Sequence, residues 1–302
     1  MENRSAAGVI ALLLASLLWG TTGTAASFLP SDVSPLAVGA STMGVGGLLL
    51  LLAAPRMSWL VLRDPRARRW AALGAVGVVV YPLAFYSAMH LAGVAVGNVV
   101  ALGSGPTFAA LFEWLGERHP LSRRWAFSTG IAVVGIVFLA IGRMAHPAGT
   151  APADLPGVAL GLIAGAAYAL YAYSSSRVIR LGHPSRGAMG AMFGVGALPL
   201  LAVLLGVGAP LLQSRGTVAI AAYLAIGATL IGYLLFGIGL RTVRPSAATT
   251  ITLLEPVVAT VLAVLVVGER LAPIAWAGLL LVFVGLAALV SARRGRKTSE
   301  RP

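Results

Sequence analysis

Apolar residues in this chain come in long runs, and ten of those runs have the length of a helix that crosses a bilayer. A hydrocarbon core of about 30 Å takes roughly 20 apolar residues as a helix, whereas spanning strands are alternating segments of about ten. Period-two alternation is absent. With prolines, glycines and charges setting the ends, the predicted spans run from Ala6 to Leu29, Pro35 to Ala54, Trp70 to His90, Gly93 to Leu115, Trp125 to Gly142, Pro156 to Ile179, Gly187 to Leu205, Thr217 to Leu240, Pro245 to Val267 and Pro273 to Ser291. Four begin at proline, whose missing N–H would be unpaired in a first helical turn anyway. The pattern predicts an all-α polytopic membrane protein with ten transmembrane helices.

Composition strengthens that reading. Of 302 residues 58% are hydrophobic and 10% charged, with a mean hydropathy of +0.91, whereas a soluble domain carries roughly 25% charged residues. The 37 glycines lie inside apolar runs without a three-residue period, as packing residues of a bundle do and collagen-like or linker sequences do not. A net charge of +13 would suggest nucleic acid in a soluble domain, but no soluble fold exists here to present a basic face. The lipid bilayer is the expected partner, and nucleic acid is not. The absence of cysteine excludes thiol chemistry, disulfides and cysteine-ligated metals.

The position of the charges matters more than their sum. Arg4, the 56–69 arginines, Arg118 to Arg124, Arg177 to Arg186, Arg241, Arg244 and the basic tail put nineteen of the 22 Lys and Arg residues on one set of alternate loops, leaving Arg143, Arg215 and Arg270 on the other. Positive loops are retained in the cytoplasm, so both termini are expected there, with the protein in the inner (plasma) membrane. The first span follows Arg4 as a secretory signal would. It is too long, however, and holds Trp19, Thr21, Thr22 and Thr24 without a clear cleavage site, so a retained helix is expected.

The chain is written twice. Gly105-Pro106 leads to Gly116-Glu117-Arg118 and Trp125, and Glu255-Pro256 leads to Gly268-Glu269-Arg270 and Trp276, at offsets of 150, 152 and 151. Gly8, Trp19 and Thr22 reappear as Gly157, Tyr168 and Tyr171 at 149. The expected units are 1–148 and 149–292, each of five helices, followed by a basic tail, 293–302. An odd number of helices makes the second unit enter the membrane from the opposite side, so the repeats are inverted. Inverted repeats are a common architecture of secondary transporters, because one sequence folded both ways gives two states of similar energy.

Two such repeats, each with a proline-containing helix, a Gly-Glu-Arg turn and a Trp-Gly-rich last helix, resemble the EamA-type branch of the drug/metabolite transporter superfamily over essentially the whole chain. Gly268 to Pro273 and the Glu255-Pro256 pair carry the resemblance most specifically. Within the superfamily the chain is most similar to bacterial exporters of amino acids and related metabolites, including the aromatic amino-acid type. The resemblance implies a central cavity between helices of both halves, a small-molecule substrate and no cofactor. A drug, toxic-cation or nucleotide-metabolite exporter of the same fold is the alternative, and a monomer is one state open to it.

Glu255 stands out among the candidate residues, because a carboxylate at mid-membrane costs about 2.5 to 3.5 kcal/mol on insertion scales. Thr249, Thr252, Glu255 and Pro256 fall within about 120° on one helix face, and Pro256 lacks the N–H that would occupy the Thr252 carbonyl. Glu255 is read as a coupling or substrate-amine group, or else as a carboxylate that caps backbone amides or pairs with a neighbouring helix. Asn98, Ser104 and Pro106 occupy the matching helix, where the asparagine lines a cavity or joins two helices. Trp19 and Thr22, with Tyr168 and Tyr171 at matched positions, and Tyr86, Met89 and His90 after Pro82, are candidate lining residues. Aromatic faces there could hold an apolar body or a cation. Pro82, Pro106 and Pro256 are candidate helix breaks. Trp70, Trp125 and Trp276, near span ends, are read as a lipid-interface belt, and Glu113 with Glu117 as a surface charge network beside Arg118, Arg123 and Arg124.

Other functions find less support. Gly103-Ser104-Gly105 superficially resembles an intramembrane protease loop, but no histidine lies at mid-membrane depth to act as its base. His119, His146 and His183 have no metal spacing, so no metal is expected. A passive channel would show a continuous polar stripe or charged ring.

Overall fold

The computed structural model describes residues 2–92, 94–118, 122–144, 155–267 and 272–295. Ten helices in it have the length and apolarity of membrane spans: α1 (Ala6–Ala26), α2 (Pro35–Ala53), α3 (Pro65–Ala92), α4 (Val96–Glu117), α5 (Arg123–Gly142), α6 (Leu155–Arg180), α7 (Ser185–Val207), α8 (Arg215–Leu240), α9 (Pro245–Val266) and α10 (Pro273–Val290). No strand occurs among the described residues. The predicted spans match these helices one for one, with ends moved by up to five residues. The largest movement is at α3, where Arg66, Arg68 and Arg69 lie in the first turns of the helix.

One helix escapes the span pattern. Pro55–Arg63 is a nine-residue amphipathic helix between α2 and α3, with Ser58 and Val61 buried and Met57, Trp59 and Leu60 exposed. Arg63 lies 4.9 Å over the Trp59 ring. It is too short to cross a membrane but suits the arginine-rich surface of one.

The packing is symmetric under exchange of the two halves. The main contacts pair α2 with α7, α5 with α10, α3 with α6 and α1 with α8, and further α4 with α6 and α1 with α9. Replacing each helix by its counterpart five places along maps this set onto itself. Small residues permit the close crossings: a Cβ on Gly278 would lie 2.5 Å from the Gly135 carbonyl oxygen, and one on Gly135 2.7 Å from the Gly278 oxygen. The predicted glycine seam of α6 is used likewise, Gly161 facing Val100 and Gly165 facing Ser104 and Ala101. Van der Waals packing of this kind replaces the hydrophobic drive that lipid cannot supply.

The two largest buried clusters are each built from both halves. The larger includes Trp19 of α1, Met43 and Leu50 of α2, Tyr168 and Tyr171 of α6, Phe193 of α7 and Phe236 of α8. The smaller joins Leu102 of α4, Ile136 of α5, Leu253 and Val257 of α9 and Val282 of α10. The cavity described below lies where the two bodies meet.

Several helices are irregular where the cavity is. α8 is π-helical over Leu224–Ile231. α9 is interrupted between Pro245–Ile251 and Leu254–Leu262. There Thr249, Thr250 and Thr252 each turn a hydroxyl onto a backbone carbonyl three or four residues back, which competes with the helical ladder. By contrast α3 and α4 continue through Pro82 and Pro106. One missing N–H bends a helix without ending it when nothing else disturbs the ladder, so only Pro256 adjoins a real break, and the expectation of breaks at Pro82 and Pro106 is corrected.

Candidate functional site

Aromatic side chains from four spans close around the inner end of the cavity. Trp19, Tyr81, Phe85, Tyr86, Tyr168, Tyr171 and Tyr233 line an inner chamber of about 60 Å³ together with Thr42, Thr229, Pro82, Leu102 and Glu255. An outer vestibule of about 600 Å³ continues from it past Trp19, Thr22, Tyr86, Met89, His90, Asn98 and Glu255 to the α1–α2 connection, where Ser27, Pro30 and Pro35 line it. That connection is on the arginine-poor side.

The rings hold one another in place. Trp19 and Tyr233 lie 4.9 Å apart between centroids, Tyr168 and Tyr171 5.2 Å, and Phe193 and Tyr233 4.2 Å. The Trp19 indole N–H donates to the Ala228 carbonyl, 2.9 Å away in the π-helical part of α8. The Tyr171 and Tyr233 hydroxyls share a 2.8 Å hydrogen bond, and Tyr168 and Thr252 one of 2.6 Å. Such contacts lock rotamers, giving a preformed wall.

Polar groups in the cavity are left without partners. The Glu255 carboxylate forms no hydrogen bond or ion pair among the described residues, and it lines both compartments. Asn98 Oδ1, Thr42 Oγ1 and Thr229 Oγ1 are buried and unpaired. Buried polar atoms normally find a partner, so four such groups around one space describe a place for a polar ligand or water.

The opposite, arginine-rich end is shut by side chains. Glu113, 3% exposed, accepts from the Ser246 amide at 2.7 Å and from its hydroxyl at 3.1 Å, tying the end of α4 to the start of α9. Thr129 and Thr250 join α5 to α9 at 3.0 Å, and the Trp125 indole donates to the Ser246 carbonyl at 3.3 Å. Glu117 pairs with Arg177 at 3.4 Å and with Arg180. The Tyr173 ring meets Trp70 edge-on at 5.7 Å, with Arg177 5.1 Å over the indole. Outside the spans, His183 and Asp64 are 2.9 Å apart, and that hydrogen bond holds the Asp64 carboxyl below its usual range.

Of the predicted lining residues, Trp19, Thr22, Tyr86, Met89, His90, Asn98, Tyr168, Tyr171 and Glu255 all border this space. Ser104 does not. It packs against Gly165 between α4 and α6 and bonds the Ala101 carbonyl. Thr249 bonds within its own helix, and Thr252 stands behind Tyr168. Nor is the Thr252 carbonyl free, because the break in α9 lets the Glu255 N–H reach it at 3.0 Å.

Two further readings are corrected. Glu113 is a buried clamp and Glu117 pairs across to α6, so neither forms a network with Arg118, Arg123 and Arg124. Trp70 and Trp125 are engaged inside the protein, while Trp276 is 55% exposed. Gly105 matches Glu255 in the repeat, but a Cβ there would meet the Tyr168 ring at 3.0 Å, so a tyrosine fills that place. His119, His146 and the second Gly-Glu-Arg turn lie outside the described residues.

Sequence reasoning missed Tyr81, Phe85, Thr42, Thr229 and Tyr233. The repeat held a signal for one pair, since Tyr81 and Tyr233 stand at an offset of 152, the same as the Gly-Glu-Arg turns.

Ten apolar helices in two exchange-symmetric sets, around a cavity lined by both, define a polytopic membrane transporter. The chain belongs to the EamA-like transporter family, whose model matches residues 6–141 and 155–291. It is 32% identical over 293 residues to the "Uncharacterized transporter YwfM" of Bacillus subtilis (strain 168), covering 96% of this chain and 95% of that one. A solved crystal structure, 24% identical, matches 96% of this chain and 98% of its own with a TM-score of 0.78, which bears on the fold alone.

Proposed function

We propose that the protein is a secondary transporter that exports small amine-bearing metabolites, amino acids and their relatives, by alternating access across the inner membrane. Residues 1–148 and 149–292 act as inverted repeats, and both termini and the basic tail 293–302 lie in the cytoplasm. The observation that carries this reading is a cavity lined by matched positions of both halves, Trp19 and Thr22 with Tyr168 and Tyr171, sealed at one end and reaching the surface at the other. A permanently open channel would need no seal. In this conformation the mouth faces outward, the release side for an exporter.

Glu255 is the proposed anchor for the substrate amine or for a coupling proton. The titratable groups facing the same space are Tyr81, Tyr86, Tyr168, Tyr171, Tyr233 and His90. Counterflow of labelled amino acids and amines in proteoliposomes tests the reading. Wild-type protein exchanges at least one, and Glu255→Gln lowers the rate or flattens its pH profile. An unchanged profile removes Glu255 from the mechanism, and absence of counterflow across the panel rejects this substrate class.

A further inference from the structure

The cavity holds one acidic group and, among the described lining residues, no lysine or arginine. Its other side-chain polar groups without a hydrogen bond include the Asn98 amide and the hydroxyls of Tyr81, Tyr86, Thr42 and Thr229, none of which carries a positive charge. The Trp19 N–H, a donor an anion could have used, is already taken by Ala228. Around these stand seven aromatic rings, whose faces attract cations and not anions. We propose that the site selects amines that carry no carboxylate: a cationic amine against Glu255 and Asn98, an apolar or aromatic body among Trp19, Tyr86 and Tyr233, and at most a hydroxyl toward Thr42 and Thr229.

This rests on the cavity being the transport site and narrows its substrates from amine-bearing metabolites at large to the amines proper, setting the amino acids aside. The reason is charge balance in a medium of low dielectric. A singly charged amine neutralises Glu255, whereas a zwitterion brings a carboxylate as well, for which the described lining holds no lysine or arginine, and a buried unpaired charge is costly. The carboxylate and the seven ring faces both favour a positive ligand.

The test uses four probes that share one phenyl body: 2-phenylethylamine, phenylalaninol, phenylalanine and 3-phenylpropionate. Binding of each to the full-length protein in nanodiscs is measured by isothermal titration at neutral pH. The two amines are expected to bind at least about ten-fold more tightly than phenylalanine, the phenylpropionate not at all, and Glu255→Gln to lower amine affinity about ten-fold or more, the scale of one charged contact. The wild-type series is decisive even if the variant does not fold. Phenylalanine binding as tightly as the amines overturns the proposal and leaves the transport reading standing. Binding of none overturns it also, and the counterflow panel then decides the transport reading separately. Amine binding unchanged in a monodisperse Glu255→Gln protein overturns the assignment of the carboxylate.

Discussion

Replacing Glu113 by glutamine or alanine perturbs the seal at the arginine-rich end without touching the cavity. The carboxylate receives two hydrogen bonds from Ser246, of 2.7 and 3.1 Å, and it faces the first turn of α9, where the helix dipole favours an anion. Hydrogen bonds to a charged group are worth about 1.5 to 3 kcal/mol each, and the dipole adds about 0.3 to 1 kcal/mol. Glutamine keeps a carbonyl oxygen for the Ser246 amide and loses the charge, a cost of about 1 to 2 kcal/mol; alanine loses both bonds, about 2 to 4 kcal/mol after part of the loss is recovered by water. At about 1.4 kcal/mol per factor of ten, the closed-to-open ratio at this end falls roughly ten-fold for glutamine and on the order of a hundred-fold for alanine. The absence of cysteine makes the assay direct. Spin labels on Arg118→Cys and Arg244→Cys flank the clamp just after α4 and just before α9, and both positions are exposed. The distance distribution should gain a longer component in the order wild type, glutamine, alanine. Identical distributions in all three would refute the clamp as a seal.

Other positions give independent tests. Trp19→Phe keeps a ring but removes the N–H bonded to Ala228, so counterflow is expected to fall about ten-fold, while the exposed Trp276→Ala stays within about two-fold; equal effects would erase the distinction between cavity and lipid-facing tryptophans. Gly278→Ala places a Cβ 2.5 Å from the Gly135 oxygen and should cost about 1 to 3 kcal/mol by overpacking, read as a lowered thermal midpoint in detergent; an unshifted midpoint would mean that α5 and α10 cross less tightly than described. Asp64, held low by His183, contributes stability above its unfolded pKa and loses it as pH falls through the lower folded value. Asp64→Asn should therefore flatten the acid limb of the stability profile below about pH 4, and superimposable limbs would count against the contact.

How much of this the sequence disclosed depends on the range of the interaction concerned. Spans were legible because a bilayer fixes helix length, and matched residues such as Trp19 and Tyr168 were legible because the duplication marks equivalent depth. Pro55–Arg63 was not, since nine amphipathic residues among arginines look like a loop to a pattern tuned to 20 apolar ones. Glu113 was misread for a related reason. The nearest charges along the chain are Glu117 and Arg118, while its partner Ser246 is 133 positions away, and no local pattern encodes that distance. Thr252 lay on the right helix face, but face arguments assume a continuous helix, and the break after Ile251 turned it toward Tyr168.

The duplication also gives meaning to what is not duplicated. Two perfectly matched inverted halves would give two end states of equal energy, one sealed at each end. Glu113 breaks that equality. At offsets of 150 to 152 its counterparts are Ala263, Val264 and Leu265, and the counterparts of Pro245 and Ser246 are Ala95 and Val96, so the arginine-poor ends of α4 and α9 hold no carboxylate to meet an amide. In their place the vestibule separates the two helices, with Asn98 on one wall and Ala259 on the other. Among the described residues the same two helices are thus fastened by charge-assisted bonds at one end only. That asymmetry favours the conformation open on the arginine-poor side, and it does so without any residue in the cavity. Under the alternating access proposed above, bound ligand would have to offset the clamp before the carrier turned, and the proposed ligand contact placed to do so is Glu255, on the same α9 whose first turn Glu113 holds.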